Sequence, residues 1–278
     1  GPQLELWTNH FYSLFPDVDD LAKQNADDNI SSELGETLMG QRSAASENGW
    51  TWERLRDINY YLQHSNQCPD EHVRKQYDGV AYFFRAYFYF DKVKRYGDVP
   101  WYDQVLNSND DKLLAKPRQD REIIMDSVMQ DLDKAIGMLP TKKDQVRVTK
   151  WTALALKSRV ALYEGTFRKY RGMNDAEKYL KQAVAAGEQF IDNSGYRLYT
   201  NGVEPYRTLF NSIDAVGDEI ILAKRHSNTA NVRHSIPFNI IIYRQSFTKR
   251  FMNHYLMADG TRFEDQVGWE TMDYAAET

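Results

Sequence analysis

The chain has 278 residues, of which 42% are hydrophobic, 13% aromatic and 27% charged, the composition of a folded protein rather than of a disordered segment. A net charge of −5 leaves no basic surplus to displace counterions, which argues against DNA or another polyphosphate as partner. The single cysteine, Cys68, excludes an internal disulfide framework and a cysteine-based structural zinc site, and mean hydropathy is −0.67 with no apolar run long enough for a membrane span. The 18 Tyr, 13 Phe and 6 Trp exceed what a helical scaffold needs, so some of these rings are expected on a wet surface.

Residues 3 to 15 place Leu4, Trp7, Phe11 and Leu14 or Phe15 at helical spacing, and Pro16 ends the pattern. Asp27 to Gly49 is rich in Asp, Asn, Ser and Gly and reads as a long loop, a frequent location for function. Trp52, Leu55, Arg56, Ile58, Asn59 and Leu62 predict a helix ending before Pro69, with Thr51 as its candidate N-cap. From Glu71 to Tyr96, the positions Val73, Tyr77, Val80, Ala81, Phe84 and Phe88 form the stripe of an amphipathic helix, about 39 Å long at 1.5 Å per residue. Tyr82, Phe83, Tyr87, Tyr89 and Phe90 fill the other faces of its C-terminal half, which must therefore be sandwiched between neighbours. Gly97 supplies the stop.

Asp120 is the expected N-cap of a helix bearing Ile124, Val128, Leu132, Ala135 and Leu139, ended by Pro140. Thr149 then caps a helix through Gly165 whose small residues allow close approach, and Asn174 and Glu177 form a capping-box-like start for another. The inner face of that last helix is expected to carry Ala176, Leu180, Ala183, Val184, Gly187 and Ile191. Repeated helix pairs of this size predict an irregular tetratricopeptide-like, mainly α fold. Beyond Gly195, residues 219 to 223 read as a short strand or extended run, 225 to 245 as a polar loop, and Phe247 to Leu256 as a final helix.

The search for catalysis is negative. Six scattered histidines form no metal-ligand pair at helical spacing, and no nucleophile elbow, Walker loop or dinucleotide fingerprint occurs. Adjacent acids such as Asp19-Asp20, Asp27-Asp28 and Asp110-Asp111 read as solvated loop charges, and no calcium loop is present. No catalytic residue, metal or cofactor is expected. Binding is better supported: Asn48 to Arg54 sets Trp50 and Trp52 beside an acid, an amide and an arginine, a mixture suited to sugar rings, which stack on aromatics and hydrogen-bond through hydroxyls. Trp50, before the helix, is either a hydrophobic staple or a ligand platform, whereas Trp52 is expected to pack inward. Trp101 and Tyr102 are expected to tuck back onto the preceding helix, and Arg85 to pair with a carboxylate or carbonyl at a helix interface.

The run Arg85-Ala86-Tyr87-Phe88-Tyr89-Phe90-Asp91-Lys92-Val93-Lys94-Arg95-Tyr96-Gly97-Asp98-Val99-Pro100 strongly resembles the signature of the SusD/RagB family of outer-membrane nutrient-binding lipoproteins. Trp52 to Asn59, Arg121 to Pro140, Arg147 to Tyr163, Asp218 to Ile221 and Tyr255 to Gly260 look like further landmarks of that family in the same order. The resemblance implies a SusD-like fold of tetratricopeptide-like pairs with long loops and little β structure, expected as one domain over residues 3–278. It implies a non-catalytic protein, lipid-anchored on the exterior of the outer membrane, that captures oligosaccharide and delivers it to a SusC-like TonB-dependent transporter. Peptide capture by the same kind of complex and a tetratricopeptide-like protein scaffold are the alternatives. Gly1-Pro2 matches an expression-tag scar, so the lipid-bearing cysteine is expected to lie outside this sequence; because members of the family continue well beyond the landmark at Asp259-Gly260, the resemblance implies that a C-terminal portion lies outside it too. Ligand residues are not fixed across the family. Loop position and chemistry nominate Asp27, Asp28, Asn29, Trp50, Asn228, Asn231, His234 and Tyr243.

Overall fold

The computed structural model describes residues 1–18, 28–30, 35, 38–41, 43, 49–107, 109–227, 229, 233–243 and 246–271. The chain divides into two compact units, one of residues 1–14 and 51–225, the other of residues 15–50 and 226–278. In the first, α1 (Pro2–Asn9) runs into a 3-10 turn (His10–Leu14), followed by α2 (Glu53–His64), α3 (Glu71–Tyr96), the short α4 (Asp111–Leu114), α5 (Arg121–Met138), α6 (Lys150–Tyr170), α7 (Ala176–Asn193) and α8 (Pro205–Asn211). In the second, β1 (Asn29–Ile30) pairs antiparallel with β2 (Ser246–Phe247), Asn29 lying opposite Phe247, and α9 (Ile236–Tyr243) and α10 (Lys249–Met252) flank β2 in sequence.

Helix α3 is the axis of the first unit. Its N-terminus is capped by the Asp70 carboxylate, which accepts from the Val73 N–H at 3.1 Å, and it stops at Gly97, whose φ of 72° suits a residue without a β-carbon. Helices α1, α2 and α5 all pack on it, α6 packs on α5 and α7 on α6. The C-terminal half of α3 is thereby covered on several sides, burying Phe83, Phe84, Ala86, Phe88, Tyr89 and Phe90 together. The expected sandwich is present, and the mainly α architecture with it.

Two charged clusters lie inside this stack. Arg85 grips Asp131 of α5 with two parallel hydrogen bonds, Nε to Oδ2 at 2.6 Å and Nη2 to Oδ1 at 2.9 Å. Glu164 of α6, fully buried, takes Arg121 at 2.6 Å and Arg168 at 2.9 Å. The two guanidiniums lie over aromatic rings, Arg121 at 3.4 Å from the Phe167 centroid and Arg168 at 4.4 Å from that of Tyr179. Bidentate geometry and ring faces together compensate for water lost from these ions.

Several local expectations are corrected. Thr149 caps α6 as expected, in a box with Thr152, but the helix runs on past Gly165 to Tyr170. Gly165 is a crossing point, not a stop: a β-carbon there would lie 2.8 Å from the Leu180 side chain. Helix α7 begins after Asp175, in the left-handed region at φ 61°, without a side-chain cap. Its buried positions are Tyr179, Ala183 and Ala186, while Val184 and Ile191 are exposed, because Tyr179 is drawn inward by Arg168 and by its own bond to Asp126 at 2.8 Å. Neither Thr51 nor Asp120 caps a helix through its side chain. At α5 that role falls to Asp98, whose Oδ1 accepts from the Arg121 N–H at 2.9 Å.

Residues 219–223 form neither a strand nor a regular extended run: Glu219 closes a turn in which the Glu219 and Ile220 N–H groups donate to the Val216 carbonyl at 3.2 and 2.9 Å, and Ile221 lies in a bend. They are pinned by the Ala223 N–H to the Gln145 carbonyl at 2.7 Å, and the Glu219 carboxylate accepts from the Tyr199 N–H at 2.7 Å. The loop expected over 225–245 contains α9, in which Pro237 stands in the first turn of an apolar run, a position where proline favours helix. The helix expected over 247–256 shrinks to α10, since Phe247 belongs to β2.

Candidate functional site

The residues around Gly97 build a wall rather than a passing loop. Beyond the stop of α3, Val99 bridges to Gln119, and the Trp101 N–H donates to the Gln119 side chain at 3.1 Å. Trp101 stacks on Tyr89 at 4.2 Å, so the aromatic turn folds back onto its helix as expected. The Tyr89 hydroxyl accepts from the Tyr102 N–H at 2.6 Å, and burial pushes this phenol far above its ordinary range. Asn59 of α2 donates to the carbonyls of Tyr102 and Gln104 at 3.0 and 3.2 Å and accepts from Arg85 at 3.3 Å. One buried amide thus ties the wall to the ion pair beneath it.

Between this wall and the start of α2 lies a groove of about 300 Å³, at the lower end of the range for small-ligand sites. Trp52, Leu55, Tyr102, Leu106 and Leu114 form its apolar lining; Glu53, Arg56, Asn59, Gln104 and Asn107 supply polar groups. Trp52 is held by edge-on contacts with Phe88 at 5.7 Å and Tyr102 at 5.6 Å, and the Lys92 ammonium lies 5.7 Å from its ring centroid. Tyr102 is braced by its hydroxyl on the Leu113 carbonyl at 3.0 Å, and burial raises its pKa. A fixed aromatic surface with amides and a guanidinium at its rim suits a ligand with an apolar face and hydroxyl edges. Glu53 is the one carboxylate among the lining residues, whereas glycoside hydrolysis commonly uses two.

The nominated residues fall elsewhere. Asp27, Asn228 and Asn231 lie outside the described residues, as does the side chain of Tyr243, whose backbone ends α9. Asp28 is exposed, and its carbonyl accepts from the Thr248 N–H at 3.0 Å. Asn29 follows in β1 with a buried Oδ1 that has no hydrogen-bond partner among the described residues. Trp50 is 39% exposed. His234 is exposed and meets His226 edge-on at 4.9 Å. The structure therefore joins Asp28 and Asn29 to the 246–248 segment and His234 to His226.

Sequence reasoning missed the groove. Trp52 packs inward as expected, and the same ring also lines the groove. A usable signal existed: Trp52, Arg56 and Asn59 stand at i, i+4 and i+7, an aromatic and polar stripe on one helix face.

Comparison with known proteins matches these elements to one family. A family model for SusD-like proteins, described as starch-binding and associating with the outer membrane, matches residues 8–162. A SusD-like protein of Formosa agariphila is 32% identical over 102 residues, 36% of this chain and 19% of the relative. A SusD-like protein from Bacteroides fragilis superposes with a TM-score of 0.66 at 26% identity, covering 82% of this chain and 45% of that one. A laminarin-binding SusD-like protein gives a TM-score of 0.65 at 19% identity, covering 83% and 52%, a likeness of fold. The chain spans about half or less of the length of these relatives. With helices, signature turn and family match all falling in the same residues, the chain belongs to the SusD-like family.

Proposed function

We propose that this chain belongs to a non-catalytic glycan-binding protein, lipid-anchored on the exterior of the outer membrane, that passes oligosaccharide to a SusC-like TonB-dependent transporter. The observation that carries the reading is the groove over Trp52 and Tyr102, where a rigid aromatic floor meets the amides of Gln104 and Asn107 and the guanidinium of Arg56. Two structural neighbours support the ligand class: one is named for binding laminarin, and another was solved with a xylogluco-oligosaccharide. Asp27, Asp28, Asn29, Trp50, Asn228, Asn231, His234 and Tyr243 are proposed separately as ligand contacts of the second unit.

Calorimetric titration with laminari- and xylogluco-oligosaccharides tests the reading. Each lost side-chain hydrogen bond is worth about 0.5 to 1.5 kcal/mol, so Arg56→Ala and Asn107→Ala should each weaken binding up to about tenfold. Both side chains are exposed, so stability should hold. Trp50→Ala tests the second unit in the same way. Unchanged dissociation constants in Arg56→Ala and Asn107→Ala would remove the groove from the ligand site. For the partner, the SusC-like transporter should co-purify with the full-length protein from outer membranes.

A further inference from the structure

A second recess in the first unit, of about 390 Å³, lies among α1, α3 and the turn between α5 and α6. It shares no lining residue with the groove over Trp52. Its walls are assembled by polar contacts already spent on structure. Arg147 reaches Glu5 of α1 at 3.0 Å and also donates to Asn9. Asp144 accepts from the Val146 and Arg147 N–H groups at 2.8 and 3.0 Å, and the Tyr12 hydroxyl accepts from the Val148 N–H at 2.8 Å. Val80 and Val148, both buried, with Pro140, give the lining its apolar part.

What remains is a set of unused groups. Among the described residues, the Gln76 amide, the Tyr77 hydroxyl and the Lys142 ammonium make no hydrogen bond or ion pair. Together they offer donors of three kinds and two acceptors into one concavity. The charges of the lining cancel, Glu5 and Asp144 against Lys142 and Arg147, so the recess does not select a strongly charged ligand. An apolar occupant would leave the amide and hydroxyl unmet. A neutral ring with hydroxyls at its edge and C–H groups on its face satisfies both the polar groups and the apolar floor.

We propose that this recess is a second saccharide site, taking one neutral sugar ring through Gln76, Tyr77 and Lys142. It shares with the functional reading only the class of ligand and needs none of the groove residues. The two sites can be followed separately in the full chain labelled with 3-fluorotyrosine, because Tyr77 reports the recess and Tyr102 the groove. Laminaribiose, cellobiose and maltose serve as probes, and Tyr77→Phe identifies the Tyr77 fluorine signal. The expected result is a saturable shift of that signal with at least one disaccharide, with the dissociation constant raised about tenfold in Gln76→Ala and unchanged in Arg56→Ala. A Tyr77 signal unmoved by all three sugars overturns the proposal. So does a Tyr77 shift that vanishes in Arg56→Ala, since the recess would then not bind independently. If Tyr77 moves and Tyr102 does not, the recess stands and the groove reading alone fails.

Discussion

The two units differ in the interior they enclose, although both leave apolar side chains exposed, as at Tyr206, Phe210 and Ile213 of the first. In the first, the rings of α3 are driven inside and even charges are buried as closed pairs, as at Arg85 with Asp131 and at Glu164 with two arginines. In the second, Phe238, Ile241, Ile242, Phe247, Tyr255 and Leu256 are all exposed, while Phe263 is buried. The first unit thus has an interior that single substitutions can damage, whereas much of the second presents surface whose loss removes little folding free energy. The contrast teaches where stability and adhesiveness separate in this chain.

The strongest way to break the contrast is Glu164→Ala, which strands two buried guanidiniums. Leaving a buried charge uncompensated costs about 3 to 5 kcal/mol, so denaturant titration should show a large fall in midpoint. Loss of less than about 1 kcal/mol would mean that water enters the cluster freely, and the first unit would then resemble the second. Next is Gly165→Val, which sets a branched side chain where even a β-carbon meets Leu180. Overpacking of this kind costs about 1 to 3 kcal/mol, visible as a lowered Tm with a retained helical spectrum.

Asp78 offers a change of opposite sign. Burial pushes its carboxyl above the ordinary 3.8, against the pull of nearby Ser65, Tyr61 and Arg74. An acid with a raised folded pKa binds its proton more tightly in the native state, so stability is full below the ordinary carboxylate range and falls as pH rises through the folded value. Asp78→Asn should therefore raise Tm at neutral pH and flatten the Tm profile above pH ~4; a lower neutral Tm would show that the charge is favourable there. The smallest effect is expected in the second unit, where Phe247→Ser should change stability by about 0.5 kcal/mol or less while reducing binding of a hydrophobic dye. A cooperative loss of structure would reveal a core that the exposed side chains do not suggest.

The sequence made the first unit readable because its periodicity is carried by large rings and its boundaries by Gly97, Pro140 and Thr149. The carboxylate partner of Arg85 was foreseen by type, since a guanidinium inside an aromatic helix must be neutralised. The face of α7 was misread because alanine and glycine carry little periodic signal, leaving Tyr179 to decide the rotation through Arg168 and Asp126. Asp98 as the acceptor for α5 was invisible: it lies 23 positions before Arg121, beyond the reach of any local capping rule. The groove escaped for a related reason, since Trp52 and Asn107 meet only after the Gly97 turn has folded back. Of the nominated loop residues, Trp50 could be expected exposed from its place before a helix, whereas contacts of Asp28 and His234 depend on distant segments.

Asn59 links the groove to the timescale on which it can move. Its amide holds the carbonyls of Tyr102 and Gln104 while its oxygen receives Arg85, so the groove wall cannot swing out without exposing a polar contact of the buried ion pair. The Tyr102 amide, donated to the Tyr89 hydroxyl, should then exchange its hydrogen with solvent only when the helical stack opens as a cooperative unit. A groove coupled in this way is preformed, so a ligand of the proposed class would be captured at a rate set by encounter rather than by rearrangement.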